Sequence, residues 1–225
     1  MALILAGDIG GTKTLLSLYE AESVAPPERR HEQRFPSGDW SDLASMVNHF
    51  LAEAASAGFG HPEAACFAVA GPVRDSRAQL TNLPWQLEEG ELARACALPR
   101  VALVNDFAVL IYGLPHLQPQ QQATLHPGQA DPQAPRLVLG AGTGLGVAIG
   151  VPSLEGLQAL ASEGSHAEFA PRSDWEWQLK RWLSADLGLE RLSIERVVSG
   201  TGLGHVARWL LATTDAAGQI GRAHV

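Results

Sequence analysis

Between its first two apolar runs the chain carries the stretch Asp8-Ile9-Gly10-Gly11-Thr12-Lys13-Thr14. The run before it covers residues 2–7, and aliphatic residues resume over 13–19. Apolar runs of this length, joined through a Gly-Gly turn, predict a hairpin of two buried strands. Paired glycines also let the backbone turn tightly and direct its N–H groups toward an anion. The stretch therefore predicts either a polar hairpin tip or an anion-binding loop.

A second glycine-rich stretch, Gly140-Ala141-Gly142-Thr143-Gly144-Leu145-Gly146, also lies between two apolar runs. Its four glycines in seven residues predict either a flexible hairpin or close approach of the backbone to a bulky ligand. A Rossmann dinucleotide fingerprint is excluded, because no glycine stands at the required third position and a strand follows where a helix is needed. The first stretch is likewise no Walker A loop, which needs Gly, four residues, Gly-Lys and Ser or Thr, and which leads into a helix.

The hydrophobic periodicity of the remaining sequence alternates between strands and helices. Residues 43–57 have apolar side chains at helical spacing, which predicts an amphipathic helix with Asp39 or Ser41 as its N-cap. The residues predicted to face the core are Leu43, Met46, Val47, Phe50, Leu51 and Ala54. Further strands are predicted at 31–35, 64–69, 101–104, 137–140 and 146–151, and further helices at 88–97, 106–114, 173–187 and 202–211. Because a hairpin links the first strands, the pattern predicts an α/β fold with mixed sheets.

The composition is that of an ordinary globular chain of 225 residues, 46% hydrophobic and 18% charged. No stretch reaches the roughly 18 consecutive apolar residues of a membrane span, and residues 1–7 lack the basic lead of a signal peptide. A net charge of −8 without a cluster of basic residues argues against nucleic acids and membranes as partners. The two cysteines form neither a disulfide framework nor a zinc cluster, so we expect a reducing cytoplasm.

Asn105 and Asp106 directly follow a predicted buried strand. Ligands of α/β sheets usually bind at the carboxyl ends of the strands. An aspartate in this position is typical either of an N-cap for the following helix or of a general base. Such a base takes the proton of an alcohol as the alcohol attacks a phosphoryl group. Both interpretations remain open on the residue pattern alone.

Side chains suited to sugar hydroxyls occur in two further places. Glu163 and His166 lie close together, and Glu195 follows later in the chain. Carboxylates and a neutral imidazole are suitable hydrogen-bonding partners for hydroxyl groups. A zinc site at His166 is not expected, because no cysteine follows it. Asn82 adds an amide three residues before Trp85, a pairing common where sugars bind, although each of these residues alone is typical of a loop or core.

Together these segments resemble bacterial glucokinase, an ATP-dependent sugar kinase of the actin/hexokinase superfamily. The resemblance runs in order and spacing from Leu3 to about Leu211. It implies a duplicated actin-like ATPase fold, related to ribonuclease H, with mixed sheets and an incomplete second lobe. It also implies transfer of the ATP γ-phosphoryl group to the 6-hydroxyl of glucose, the first step of glycolysis, in the cytoplasm, with ATP and Mg²⁺. A homodimer is a further implication.

The resemblance implies a role for each candidate residue. Asp106 is the implied catalytic base. The residues implied to bind glucose are Asn82, Asn105, Asp106, Glu163, His166 and Glu195. The residues implied to bind ATP are Asp8, Gly10, Gly11, Thr12, Lys13, Gly140, Gly142, Thr143 and Gly144. Asp8 is also implied to bind Mg²⁺ through a water molecule.

The predicted domain organisation places a small α/β lobe at residues 1–113, with the first loop and Asp106. A partial large lobe at 114–218 contains the second loop and the sugar contacts. The resemblance implies that the family's chain continues well beyond this length, so we expect C-terminal truncation. Residues 219–225 match the translation of a common sequencing adapter, and we interpret them as a non-biological tail.

Two alternative functions remain open on the sequence. A related hexose kinase with another sugar preference would use the same loops, because nothing in the sequence fixes the preference at C2 or C4. A non-catalytic half-kinase that binds glucose would keep the sugar residues without ATP, although Asp106 and both loops argue against it. We also expect the 225-residue chain to be weakly active or inactive, because missing helices would leave apolar surface exposed.

Overall fold

The computed structural model describes residues 2–22, 26–80, 83–154 and 156–213. Asn82 and the predicted tail at 219–225 lie outside the described residues. The strands and helices are β1 (Ala2–Ile9), β2 (Lys13–Ala21), β3 (Glu28–Pro36), α1 (Leu43–Ser56), β4 (Ala64–Val69), β5 (Val73–Arg74), β6 (Arg77–Gln79), β7 (Gln86–Glu88), α2 (Glu89–Ala95), β8 (Val101–Asn105), α3 (Val109–Gly113), β9 (Arg136–Ala141), β10 (Leu145–Ser153), β11 (Gly156–Ser162), α4 (Asp174–Leu187) and α5 (Gly200–Thr213).

The chain forms two compact units. The first unit contains residues 1–135 and 150–161, and the second contains 136–149 and 162–225. The boundary between them passes within β10. The division into lobes at residue 113 stays a prediction.

A five-stranded mixed sheet of order β3-β2-β1-β4-β8 forms the centre of the first unit. The predicted hairpin is confirmed, since β1 and β2 pair in antiparallel fashion up to Ile9 opposite Thr14. Strands β1 and β4 are parallel, and so are β4 and β8. The carboxyl ends of β1, β4 and β8 therefore meet at one edge of the sheet. This edge holds Asp8 and Asp106.

Strand β3 is an edge strand of this sheet, and its exposed residues are mostly charged. Arg29 pairs with Glu32 at 2.6 Å, and Arg30 contacts Glu28 at 3.0 Å and Glu20 at 3.3 Å. Pro36 is its last residue. The open edge is thus lined with charges of both signs.

Helix α1 packs on this sheet through the apolar face that its periodicity predicts. All six predicted core residues are buried. The predicted N-caps are wrong, however, because the cap is Asp42, whose carboxylate accepts a hydrogen bond of 2.7 Å from the Ser45 N–H. That hydrogen bond lowers the pKa of Asp42. Asp39 instead lies in a short 3₁₀ turn, Ser37–Asp39.

The structure differs from the sequence prediction in three regions. A small antiparallel sheet of order β5-β6-β7 was not predicted, because strands of two or three residues show no periodicity. Strand β11 was also missed, and it pairs with β10 in a sheet of order β11-β10-β9. The helix predicted at 106–114 is shorter, since α3 begins at Val109. A turn at 106–108 precedes it.

The second unit has its own small core between α4 and α5. Its buried members are Leu179, Leu183, Leu192 and Trp209. Trp175 meets Trp209 edge to face, with ring centroids 4.4 Å apart, a favourable geometry for aromatic pairs. This packing fixes α5, whose first residues contact the second glycine loop. Among the helices that the structure describes, none is both long and apolar enough to cross a bilayer.

Candidate active site

The first glycine loop closes the β1–β2 hairpin with a backbone turn. The Gly10 N–H donates to the Lys13 carbonyl at 3.1 Å. A Cβ at Gly10 would lie 2.8 Å from that carbonyl oxygen, so only glycine fits there without a shift of the backbone. The side chains of Thr12 and Lys13 are exposed. The loop therefore presents a hydroxyl and an ammonium group next to its backbone amides.

Two buried hydroxyl groups stabilise this loop through hydrogen bonds. The Ser37 Oγ donates to the Gly10 carbonyl at 2.7 Å, and the Ser37 N–H donates to the Thr12 carbonyl at 3.0 Å. Because the Ser37 hydroxyl hydrogen is used in this way, the Thr14 hydroxyl is the donor in the 3.0 Å contact between the two side chains. Ser37 and Thr14 are both fully buried. Two carbonyls of the loop are thereby held on the protein side.

Asp106 lies directly after β8, at the carboxyl edge of the sheet. Its N–H donates to the Val69 carbonyl at 2.9 Å, which continues the ladder to β4. Asp8 lies near the end of β1, opposite Ala68 of β4, and Ala68 lies opposite Val104 of β8. The structure thus brings two of the predicted site residues, Asp8 and Asp106, to the carboxyl edge of the five-stranded sheet.

Burial raises the pKa of the Asp106 carboxyl, and the negative charge of Asp8 raises it further. Hydrogen bonds from the Phe107 N–H and the Asn105 side chain act in the opposite direction. A raised pKa makes the carboxylate a stronger base, which suits proton abstraction. Two neighbouring carboxylates also suit a divalent cation, since Mg²⁺ prefers oxygen ligands and keeps several of its waters. The described residues contain no cluster of three or more metal-ligating side chains.

The Asn105 amide is committed to contacts within the protein. Its Nδ2 donates to the Gly71 carbonyl at 3.0 Å and to the Asp106 carboxylate at 3.1 Å. Its Oδ1 accepts from the N–H groups of Phe107 and Ala108 at 3.1 and 2.9 Å. Asn105, rather than Asp106, therefore caps the turn that leads into α3. This leaves the Asp106 carboxylate available for other contacts.

The second glycine loop is held by the start of α5. Within the loop, the Gly142 N–H donates to the Gly144 carbonyl at 2.9 Å. The Gly200 N–H donates to the Gly142 carbonyl at 2.7 Å, and the Thr201 Oγ1 donates to the Thr143 carbonyl at 2.9 Å. The positive end of a helix dipole thus faces the loop carbonyls.

Glu163, His166 and Glu195, which the resemblance implies as glucose ligands, lie together in the second unit. The His166 Nδ1 lies 3.3 Å from the Glu163 Oε2, and its Nε2 lies 3.8 Å from the Glu195 Oε1. The side chain of Glu195 is 28% exposed, whereas that of Glu163 is 81% exposed. Two carboxylates on either side of an imidazole provide several acceptors and a donor for hydroxyl groups.

Glu195 also contacts the second glycine loop. Its Oε2 accepts a hydrogen bond of 2.9 Å from the Leu145 N–H. Sequence reasoning missed this contact, as it missed Ser37, Thr14 and Thr201. Each of these residues acts through a partner far along the chain. Although Thr14 belongs to the first glycine stretch, nothing in the local sequence indicates the contacts that these residues make.

Comparison with known proteins places these features in a family. The glucokinase family model matches residues 5–224. Glucokinase from Nostoc sp. is 44% identical over 210 residues, covering 93% of this chain and 61% of that protein. Glucokinase from Synechocystis sp. is 44% identical over 214 residues, covering 92% of this chain and 60% of that protein. This chain thus spans about three fifths of the length of these curated relatives.

Solved structures agree with this assignment. Glucokinase from an Antarctic psychrotroph is 32% identical, with a TM-score of 0.81, and the match covers 94% of this chain and 65% of that one. A glucokinase from Balamuthia mandrillaris, solved in complex with glucose, shares the fold at a TM-score of 0.66 and 24% identity. The expected α/β fold of the actin-like ATPase superfamily, with mixed sheets, is confirmed. The chain belongs to the glucokinase family.

Proposed function

We propose that this chain phosphorylates D-glucose at the 6-hydroxyl, with ATP as phosphoryl donor, giving glucose 6-phosphate and ADP. The observation that carries the proposal is the Asp106 carboxylate. It is partly buried, has a raised pKa, and lies beside Asp8 at the sheet edge where the first glycine loop begins. A carboxylate in that setting suits a base that acts near phosphate groups. The family membership supports glucose and ATP as the substrates.

In the proposed mechanism Asp106 takes the proton of the sugar hydroxyl while the hydroxyl oxygen attacks the γ-phosphorus of ATP. Burial supports this role, because a carboxylate with few water contacts has a higher proton affinity than an exposed one. The Asn105 amide supports it further by fixing the carboxylate through the 3.1 Å hydrogen bond. Fixed orientation of the base relative to the nucleophile supplies much of the rate enhancement in phosphoryl transfer.

The two glycine loops are the proposed binding sites for the phosphates of ATP. Loop amides, the Thr12 hydroxyl and the Lys13 ammonium would donate hydrogen bonds to phosphate oxygens. Ser37 and the first residues of α5 donate hydrogen bonds to carbonyl oxygens of the loops. Because these oxygens are bonded to the protein, they would not face the phosphates and repel them. Asp8 would hold Mg²⁺ through a water molecule. When bound, Mg²⁺ supplies neutralisation of the charge on the phosphates.

Glu163, His166 and Glu195 of the second unit are the proposed ligands of glucose, and Asp106 of the first unit is the proposed base. Asn105 contributes mainly by holding Asp106, since its amide already has four hydrogen bonds in the protein. Asn82 remains a proposed sugar contact. The function also agrees with a cytoplasmic, reducing setting, because Cys66 and Cys96 are both free thiols. The homodimer remains part of the proposal.

The experiment that tests the function is direct detection of glucose 6-phosphate. The purified chain is incubated with glucose, ATP and Mg²⁺, and mannose and fructose replace glucose in parallel reactions. Because the chain spans about three fifths of the length of its relatives, we expect weak but measurable formation of product. The product should require all three components and be greatest with glucose. Asp106→Asn should form almost none, whereas Asp131→Asn, on an exposed loop, should match the wild type. Glucose binding without any product would contradict the proposal and favour a non-catalytic glucose-binding protein.

A further inference from the structure

We propose that the second glycine loop positions Glu195 for the sugar, and that Gly144 is the residue whose missing side chain makes this possible. The inference rests on the proposed function, because it takes Glu195 as a sugar-binding residue. It adds a positioning role to a loop that is otherwise expected to bind only phosphates.

The two oxygens of Glu195 face different partners. Oε2 accepts the 2.9 Å hydrogen bond from the Leu145 N–H, at the end of the loop. Oε1 lies on the other side, 3.8 Å from the His166 Nε2. The hydrogen bond to the loop therefore sets the rotation of the carboxylate. Only Oε1 is left to point toward the His166 side, where a sugar hydroxyl would bind.

The backbone of Glu195 is held independently of the loop. Glu195 lies in the short 3₁₀ turn Ile194–Arg196, and its carbonyl accepts a hydrogen bond of 2.7 Å from the Ser199 hydroxyl. The Ile194 N–H donates to the Ala167 carbonyl at 2.9 Å. Because the backbone is fixed in this way, the remaining freedom of Glu195 is in its side-chain rotamer. The loop contact restricts that rotamer.

Gly144 provides the space that this rotamer occupies. A Cβ built on Gly144 would overlap the Glu195 Oε2 and would lie 3.2 Å from the carboxyl carbon. Any other residue at 144 would therefore displace the carboxylate. Gly142, two residues earlier, has no atom within 4 Å of its Cβ position. The same substitution at the two glycines thus separates displacement of Glu195 from a general change in the loop.

The consequence is a specific loss of sugar affinity in Gly144→Ala. The displaced carboxylate would lose the Leu145 hydrogen bond, and Oε1 would no longer be aligned with His166. Loss of a hydrogen bond between a ligand and a charged group weakens binding by about 10- to 100-fold. Gly142→Ala should leave glucose affinity in the absence of nucleotide within about twofold, the size of effect expected of a surface substitution.

The test measures glucose affinity by isothermal titration calorimetry without nucleotide, for the wild type, Gly144→Ala and Gly142→Ala. Hydrogen exchange of the Leu145 amide is measured on the same samples. We expect faster exchange and weaker glucose binding in Gly144→Ala, and neither change in Gly142→Ala. Glu195→Asp is a second variant with the charge retained, and its shorter side chain should likewise lose both Leu145 protection and glucose affinity. This variant decides the question if Gly144→Ala does not fold.

Three results would overturn the proposal, and they are distinguishable. Unchanged glucose affinity in Gly144→Ala or Glu195→Asp, despite faster Leu145 exchange, would show that the loop contact does not position a sugar ligand. Equal losses in the two glycine variants would mean a general effect of the loop. In both cases the proposed function would stand. Absence of glucose binding by the folded wild type would overturn the proposed function and this inference together.

Discussion

The two glycine loops of this chain are stabilised by different physical means. The first is held by Ser37 and Thr14, two fully buried neutral hydroxyls, and by backbone hydrogen bonds. The second is held by the N-terminus of α5 and by the Glu195 carboxylate, in a loop where every residue is at least partly exposed. One loop thus depends on burial, and the other depends on a helix dipole and a charge.

This difference indicates how each loop would respond to change. A buried neutral hydroxyl has no substitute when it is removed, because water cannot reach the carbonyl that it served. A partly exposed carboxylate can reorient, and water can replace a part of its hydrogen bonding. We therefore expect damage near the first loop to affect stability and catalysis. Damage near the second loop should mainly affect ligand binding.

The largest effect is expected from a substitution at Asp106. Asp106→Asn keeps the size of the side chain but removes its basicity, so kcat for glucose phosphorylation should fall about 10²- to 10⁴-fold. Glu195→Gln, beside the second loop, should instead act mainly through a higher KM for glucose. Steady-state kinetics with coupled detection of glucose 6-phosphate measures both. Equal losses of kcat in the two variants would remove the functional distinction between the regions.

The next largest effect is expected at Ser37. Ser37→Ala leaves the Gly10 carbonyl and the Thr14 hydroxyl without their buried partner, which should lower the free energy of unfolding by about 1–3 kcal/mol. Urea denaturation followed by circular dichroism measures this loss. Ser56→Ala is the control, because Ser56 is exposed at the end of α1 and should change stability by less than about 0.5 kcal/mol. A similar small change in Ser37→Ala would show that the buried hydroxyls are dispensable.

A smaller effect distinguishes two glycines of α5. A Cβ on Gly202 would overlap the Val197 carbonyl, so Gly202→Ala should lower stability by about 1–2 kcal/mol. Gly204 has no atom within 4 Å of its Cβ position, and Gly204→Ala should raise stability by about 0.5–1 kcal/mol. Thermal unfolding measures both changes in stability, the decrease in Gly202→Ala and the increase in Gly204→Ala. Hydrogen exchange should show faster opening of the second loop only in Gly202→Ala, since α5 holds that loop and not the first.

The smallest effect concerns pH. The pKa of Asp106 is raised above its usual 3.8, first by burial and then by the charge of Asp8. The base must be ionised to act, so activity should fall as the pH drops through this raised pKa. Asp8→Asn removes the smaller of the two causes, and the acid limb of the kcat profile should move to lower pH. A shift to higher pH would contradict the assignment of Asp106 as the base.

Much of the first unit could be predicted from its sequence, because local periodicity determines it. The apolar face of α1 was identified residue by residue, since helical spacing decides which side chains face the sheet. The N-cap was misplaced because Ser41 and Asp42 are adjacent and are both good capping residues. Only the backbone geometry at the start of the helix selects Asp42.

The candidate site was predictable where it follows strand ends or a short motif. Asp8 and Asp106 meet because parallel strands place their carboxyl ends at one edge. The contacts that support the loops were not predictable. Ser37 lies 27 residues from Gly10, and Glu195 lies 50 residues from Leu145. Such contacts depend on tertiary packing. The position of a single serine or glutamate in the sequence does not predict them.

Strand β3 has a consequence for how copies of this protein behave at high concentration. An uncovered strand edge offers N–H and C=O groups to which the edge of another molecule can add. On β3, close approach of a second edge would bring arginines and glutamates out of water and disturb the pairs that they form with each other. Pro36 at the end of the strand offers no N–H at all. The charged border therefore protects the sheet from joining others into aggregates.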